Sequence, residues 1–329
     1  MKKLYIICDY REKFPSLTVG NKTYNDHISK QSMINLINTI NSIGYEAEYF
    51  GGVEDLIKSY SQKRIMPEGV YINLNDGLSE KHKRGQTPML LEMLNVPYSG
   101  SDPFHTLLVS DKYFTNLCLR QKNIQCPDSV MISSQEDFSQ IHNLRFPVIA
   151  KPNCEGSSIG ITSSCFCPDF KTAKIKTQDL LKDFDEVLVQ EYIAGYEITD
   201  LIIRQKGTNN ILFNQPLSIA YQNQLFLSNE IFGIFEKSSN IRKYYLAEQN
   251  FSNTVTDNVK IITEQIALAL NLNNFIRVDY RINDNGIFFI EANTNPAFGT
   301  TSDVGKCCEL LNVTFESFVK LYIESLNLL

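Results

Sequence analysis

Ile276-Arg277-Val278-Asp279-Tyr280 and Phe288-Phe289-Ile290-Glu291-Ala292-Asn293 are two strand-like runs joined by Arg281-Ile282-Asn283-Asp284-Asn285-Gly286. Asn-Gly between alternating runs is a hairpin signal. Position numbers that face each other across an antiparallel hairpin sum to a constant. With a turn centred near Asn285, Asp279 faces Glu291 and Arg277 faces Asn293. Residues two apart point the same way. Arg277, Asp279, Glu291 and Asn293 then share one face, and Val278, Tyr280, Ile290 and Ala292 form a core face. Two carboxylates opposite each other repel, and a divalent cation with oxygen ligands relieves that repulsion. An acidic face beside an arginine suggests a Mg-nucleotide site. A solvated outer face of a hairpin is the bland alternative.

Upstream, the first hundred residues alternate strand and helix signals. Leu4 to Cys8, Ala47 to Phe50 and Gly69 to Leu74 read as strands. Gln31 to Ile43 carries Met33, Leu36, Ile37, Ile40 and Ile43 at helical spacing, and shorter helices run from Val53 to Tyr60 and from Pro88 to Leu94. The alternation implies a parallel sheet covered by helices. No GxGxxG follows the first strand, so dinucleotide binding there is unsupported. The turn-rich stretch from Asn95 to Pro103 is a boundary candidate. Further helices are expected over Asp111 to Gln121, Lys260 to Leu270 and Phe315 to Leu328.

The strand Phe146 to Pro152 runs into Asn153-Cys154-Glu155-Gly156-Ser157-Ser158-Ile159-Gly160. Glycines admit an anion close to backbone N–H groups, serines add donors and Lys151 adds charge. The loop is not a P-loop, since GK[ST] is missing, and an ordinary hairpin turn is the alternative.

The 329 residues are 43% apolar with a net charge of −6, which suits a globular protein of two or three units and argues against nucleic acid as the main partner. No run approaches the ~18 apolar residues of a membrane span, and Met1-Lys2-Lys3 enters a strand directly, unlike a signal peptide. The eight cysteines form no CxxC pair, so they read as buried thiols in a reducing cytoplasm.

Together Lys151 to Gly160, Val189 to Glu197, Arg277-Val278-Asp279 with Glu291 to Pro296, and Tyr98-Ser99-Gly100-Ser101 with Asp111-Lys112 resemble motifs of the D-alanine–D-alanine ligases of the ATP-grasp superfamily. The matches are collinear from about residue 70 to 305. The resemblance implies an N-terminal parallel α/β domain at 1–103, a central subdomain at 104–188 with the phosphate loop, and a C-terminal subdomain at 189–329 with the metal site. The last two would clasp ATP between two mostly antiparallel sheets, α+β in the C-terminal part.

It also implies roles. Lys112 and Lys151 would bind phosphates and adenine, with Glu155, Gly156, Ser157 and Ser158 in the covering loop. Gln190, Glu191, Tyr192 and Ile193 would form the adenine hinge, and Glu197 would hold the ribose. Asp279, Glu291 and Asn293 would bind Mg²⁺, with Mn²⁺ as a substitute. Arg277, Ser157 and the loop lysine Lys237 would serve catalysis. Asp76, Ala297, Ser302 and Asp303 would meet the substrates, which are amino acids or peptides. The implied chemistry is amide formation through an acylphosphate, shielded by a closing loop. Its rivals are phosphotransfer without amide formation and a silent nucleotide-binding protein. A homodimer is the common state of such relatives.

Three features depart from the family. No clear glutamate stands near Asn25 to Ser29, leaving Asp26 or Asp9 as substitutes. Asp76-Gly77 replaces His-Gly, and Asn229 to Lys243 lacks Tyr-Lys-Tyr but offers Lys237, Arg242 and Lys243. Asp303 would sit badly beside an acceptor carboxylate.

Overall fold

Leu4 and Ile6 point to one side of the first strand and Tyr5 and Ile7 to the other, all four buried, so both faces need cover. In the computed structural model, which describes residues 3–14, 26–78, 82–156, 158–231 and 241–327, this strand is β1 (Lys3–Ile7). It is followed by α1 (Lys30–Ser42), β2 (Ala47–Gly51), α2 (Val53–Ser61), β3 (Gly69–Asn73) and α3 (Gln86–Met93). The three strands form a parallel sheet in the order β2-β1-β3. Ser29 starts α1 by accepting from the Ser32 amide at 3.0 Å, a cap worth ~1 kcal/mol. Met33, Leu36 and Ile40 then recur on the face that covers Leu4 and Ile6, as their spacing requires.

Two short helices lead out of this unit, α4 (Pro103–Ser110) and α5 (Lys112–Arg120), capped by Asp102 and Asp111. The second sheet holds β4 (Ser129–Ile132), β5 (Val148–Pro152), β6 (Phe166–Cys167) and β7 (Val187–Glu191) in the antiparallel order β4-β7-β5-β6. One face is closed by α6 (Phe170–Leu180) and a 3₁₀ stretch, Gln135–Asn143, over Val148, Ala150, Val187 and Val189. Position 188 lies inside β7, which pairs with β4 and β5 along its length.

The third sheet is antiparallel, built from β8 (Gly195–Arg204), β9 (Ile211–Tyr221), β10 (Phe226–Leu227), β11 (Arg242–Leu246), β12 (Asn274–Asn283) and β13 (Gly286–Asn293). Its order is β11-β9-β8-β12-β13, with β10 on β8. Between β11 and β12, α7 (Asn253–Ala269) packs on the face that carries Ile198, Ile202, Val278 and Tyr280. After β13 come α8 (Asp303–Leu311) and α9 (Phe315–Ser325). A single core cluster joins Leu4, Ile6, Val70 and Ile72 of the first sheet to Leu201, Leu217 and Phe275 of the third, through Phe298, Phe318 and Ile323. No helix among the described residues is long and apolar enough to cross a membrane.

One expected detail of the hairpin changes. Pairing closes on a two-residue turn, with Asn283 opposite Gly286, and the register shifts by one between Asp279 and Tyr280. The extra residue of this bulge is Ile290, so Tyr280 pairs with Phe289. Phe289 takes the core position expected for Ile290, and Ile290 turns toward the cleft. The bulge is what preserves the facing pairs Asp279–Glu291 and Arg277–Asn293.

Candidate active site

The hairpin delivers its charged face to the gap between the second and third sheets. Arg277 reaches Asp279 through Nε at 3.1 Å and Nη2 at 2.9 Å, Asp303 through Nη1 at 3.1 Å, and Glu291 at 3.6 Å. Thr199 on β8 donates to Asp279 Oδ1 at 2.6 Å. Burial pushes the Asp279 carboxyl up; Arg277 opposes that, and the facing Glu291 adds to it. Asn293 brings an amide oxygen to the same edge, accepting from the Asn295 amide at 3.0 Å. Two carboxylates and an amide, all hard oxygen donors, fit a divalent ion such as Mg²⁺ or Mn²⁺. Arg277, shared with Asp303, leaves charge on the pair for that ion to neutralise.

The opposite wall comes from the second sheet. Lys151 on β5 and Lys112 at the start of α5 are both buried. Lys112 Nζ donates to the carbonyls of Asn153, at 3.2 Å, and Glu155, so it braces the loop it stands under. Asn153, fully buried, accepts the Tyr113 amide at 3.0 Å. A tight turn follows, with the Ile159 amide on the Gly156 carbonyl at 3.0 Å. Ser158 and Gly160 adopt φ of 61° and 75°, the second of which a side chain would strain. Ser157 and Lys237 lie outside the described residues.

Lys112, Lys151, Glu155 and Ser158 line a cavity of about 130 Å³ with Tyr192, Glu197, Arg281, Asp279 and Glu291. Glu197 is held by Tyr221 at 2.8 Å and Arg281 at 3.1 Å. Of the expected hinge, Tyr192 lines this cavity, whereas Gln190, Glu191 and Ile193 do not. Glu191 instead accepts the Arg145 amide at 2.8 Å.

A second cavity, about 500 Å³, opens from the same carboxylates toward the first sheet. Asp76, Ala297, Ser302 and Asp303 line it. Asp303 is occupied: Tyr244 donates to it at 2.7 Å and Arg277 pairs with it. Ser302 Oγ closes its own loop on Gly299, at 2.7 Å to the carbonyl. Of the two substitute acids, Asp26 lines the cavity and pairs with His27 at 2.9 Å and Lys83 at 2.6 Å. Asp9 is structural, accepting from Val53 N at 2.9 Å and Asn75 Nδ2 at 2.8 Å. Arg242 lines the wall beside Tyr244, while Lys243 is exposed. Sequence reasoning missed Arg84, Arg281 and Tyr221. Arg281 and Tyr221 carried a signal, since both fall on the cleft face of strands in register with Glu197 and its partner Ile219. Arg84 carried none, because it is brought in by a connection rather than by a strand.

Comparison with known proteins gives the family and the fold. A family model described as "D-ala D-ala ligase C-terminus" matches residues 120–324. A D-alanine–D-alanine ligase of Aquifex aeolicus is 26% identical over 308 residues, covering 93% of this chain and 98% of its own. One of Fervidobacterium nodosum is 28% identical over 253 residues, 73% of this chain and 77% of its own. Among solved structures, the Bacillus anthracis D-alanine–D-alanine ligase complexed with ATP has a TM-score of 0.73 at 20% identity, covering 99% of this chain and 98% of its own. The VanG D-Ala:D-Ser ligase of Enterococcus faecalis reaches 0.74 at 19% identity over 99% of both chains. The chain belongs to the D-alanine–D-alanine ligase family of ATP-grasp enzymes.

Proposed function

We propose that this chain is an ATP-dependent ligase that joins the carboxylate of one amino-acid-like substrate to the amine of another. The observation that carries this reading is that two buried lysines, Lys151 on β5 and Lys112 on α5, line one cavity with Asp279 and Glu291 of the third sheet, both of which pair with Arg277. Support also comes from the relatives, which bear the name of such ligases.

In the reaction a carboxylate oxygen attacks the γ-phosphorus of ATP, and the bond to the leaving ADP breaks. An amine nitrogen then attacks the acyl carbon, the C–O bond to phosphate breaks, and the nitrogen sheds a proton. Lys112 and Lys151 neutralise the phosphate tail, and Glu197 takes the ribose hydroxyls. Arg277, pinned by Asp303, offers its guanidinium to the phosphoryl group and then to the tetrahedral oxyanion, with the Ala297 amide as a second donor. Asp279, Glu291 and Asn293 would hold Mg²⁺ or Mn²⁺, which when bound draws charge from the phosphate oxygens. The catalytic roles that the resemblance implies for Ser157 and Lys237 fall on residues outside those described. The rest of the work is positioning and exclusion of water.

The chain divides into an N-terminal α/β unit and two ATP-grasp units, with the second join after Ile193 so that β7 stays in its sheet. The enzyme works in the cytoplasm, in keeping with eight scattered cysteines that form no CxxC pair, and pairs into a homodimer. The test is phosphate release with paired D- and L-amino acids, products read by mass spectrometry. Release that needs both a carboxylate and an amine is the expected result. A phosphorylated product with no amine requirement would replace this reading with phosphotransfer.

A further inference from the structure

We propose that Arg84 is a second arginine of the reaction centre, holding the donor substrate's carboxylate against the transferring phosphoryl group from the side opposite Arg277. This rests on the ligase reading above. Arg84 follows β3 on the connection to α3, so it belongs to the N-terminal unit. Its guanidinium nevertheless touches all three parts of the cleft. Nε pairs with Asp76 at 3.2 Å. Nη1 donates to Asn293 Oδ1 at 3.3 Å, across more than two hundred residues of chain. Nη2 lies against the phosphate loop, where a Cβ on Gly156 would come within 2.5 Å of it. Glycine at 156 is therefore what lets the guanidinium approach.

The charges on the two arginines differ in use. Arg277 is shared among Asp279, Glu291 and Asp303. Arg84 faces one carboxylate, and among the described residues Nη2 has no acceptor. Arg84 lines the 500 Å³ cavity together with Asp76, Asn293 and Arg277. Activation brings two anions together there, a carboxylate and the γ-phosphate. A planar fork with spare N–H groups at that point can take the carboxylate side-on and hold it for attack. As the carboxylate oxygen bonds to phosphorus, the bond to the bridging oxygen breaks and its electron pair leaves on ADP. Arg84 takes part by charge alone and transfers no proton. The neighbouring Lys83 fixes the connection by pairing with Asp26 at 2.6 Å and Glu155 at 3.6 Å.

The experiment compares Arg84→Ala and Arg84→Lys with the native chain. KM is measured separately for the donor and for ATP, kcat from ADP release, and ADP affinity by calorimetry. Arg84→Ala should lower kcat/KM for the donor by about 10²-fold, while ADP affinity stays within about twofold. Arg84→Lys should recover roughly a tenth of the native value, since it returns the charge without the fork. Millimolar guanidinium should restore Arg84→Ala saturably. Unchanged donor kinetics in Arg84→Ala would overturn the proposal. So would a loss shared equally by ADP affinity and melting temperature, which marks a structural role. If the native chain needs no carboxylate for ADP release, the ligase reading itself falls and takes this one with it.

Discussion

Asp279 and Glu291 face each other with one guanidinium between them, and Asp303 competes for that guanidinium. Removing either carboxylate relieves repulsion, so the fold should tolerate it, but the cation loses a ligand. Asp279→Ala and Glu291→Ala are expected to cut ATP turnover by about 10²-fold or more, and to weaken Mn²⁺ binding followed by electron paramagnetic resonance. Native-like Mn²⁺ affinity in either variant would end the metal assignment. Another carboxyl in this sheet has a different fate. Asp200 on β8 is fully buried under α7, and neither oxygen has a partner of ordinary geometry among the described residues. Burial pushes it up to about 7; Thr263 and Lys260 pull it down, and Glu264 pushes it up. The unfolded chain gives up that proton near pH 4, whereas the folded chain keeps it until about pH 7. Stability is therefore lost as pH rises through this window, then stays level. Asp200→Asn should melt higher than the native chain at pH 8, with the gap closing toward pH 4. A gap that does not change with pH would show that Asp200 is ionised throughout.

Among the elements, the phosphate loop depends most on backbone conformation. Gly160 holds φ of 75°, and a Cβ there would come within 2.7 Å of Pro152 Cγ and 3.0 Å of Phe184 Cε2. Strain of ~1–2 kcal/mol should raise the ADP dissociation constant about tenfold in Gly160→Ala. Calorimetry showing native affinity would mean the loop does not touch phosphate. How far each element could be read beforehand follows from what shapes it. The strands β1, β3 and β5 and the helix α1 were legible because buried apolar residues recur in them. The helices α4, α6 and α8 were not, since their buried faces include Pro103 and Thr106, Ala173 and Thr177, and Gly305, which do not stand out as an apolar helical stripe. The helix α7 begins at Asn253, seven residues ahead of the expected start at Lys260, because its first turns are polar and are set by the Ser252 cap. The facing carboxylates were legible from the hairpin arithmetic. The bulge at Ile290 was not, because Ile287 to Ile290 is an unbroken apolar run in which the sequence shows no alternation for an inserted residue to interrupt. Arg84 was silent for the reason that makes it interesting: its position is set by packing between units.

At the scale of the whole molecule, the cores are unequally joined. The first and third sheets share one cluster, running from Leu4 and Ile72 through Phe298 and Phe318 to Leu201 and Phe275. The second sheet has its own, built on Ile132, Phe138, Val148 and Val189. Among the described residues its links to the rest are mainly polar: Lys112 Nζ to the Asn153 and Glu155 carbonyls, the Tyr113 amide to Asn153, Lys83 to Glu155, the Tyr192 hydroxyl to the Glu230 carbonyl, and Gln125, whose carbonyl accepts the Phe289 amide at 2.9 Å and whose Nε2 donates to the Asn285 carbonyl at 3.3 Å. Single hydrogen bonds contribute ~1 kcal/mol each, and the Lys83–Glu155 pair, largely buried and 3.6 Å apart, loses to desolvation much of what it gains, so each link counts for less than a shared apolar core. The second sheet is thus free to open as a unit while the other two stay folded, which lets nucleotide enter between Lys151 and Asp279. Once ATP bridges the two walls, opening must break the bound state, so binding stabilises the closed form by mass action. In hydrogen exchange without nucleotide, amides of residues 129–190 should exchange through a lower-energy opening than those of β8 and β12. Saturating Mg-ADP should bring the two sets together. If the second sheet were as protected as β8 and β12 without nucleotide, the cleft would have to admit ATP by loop motion alone, with all three sheets behaving as one body.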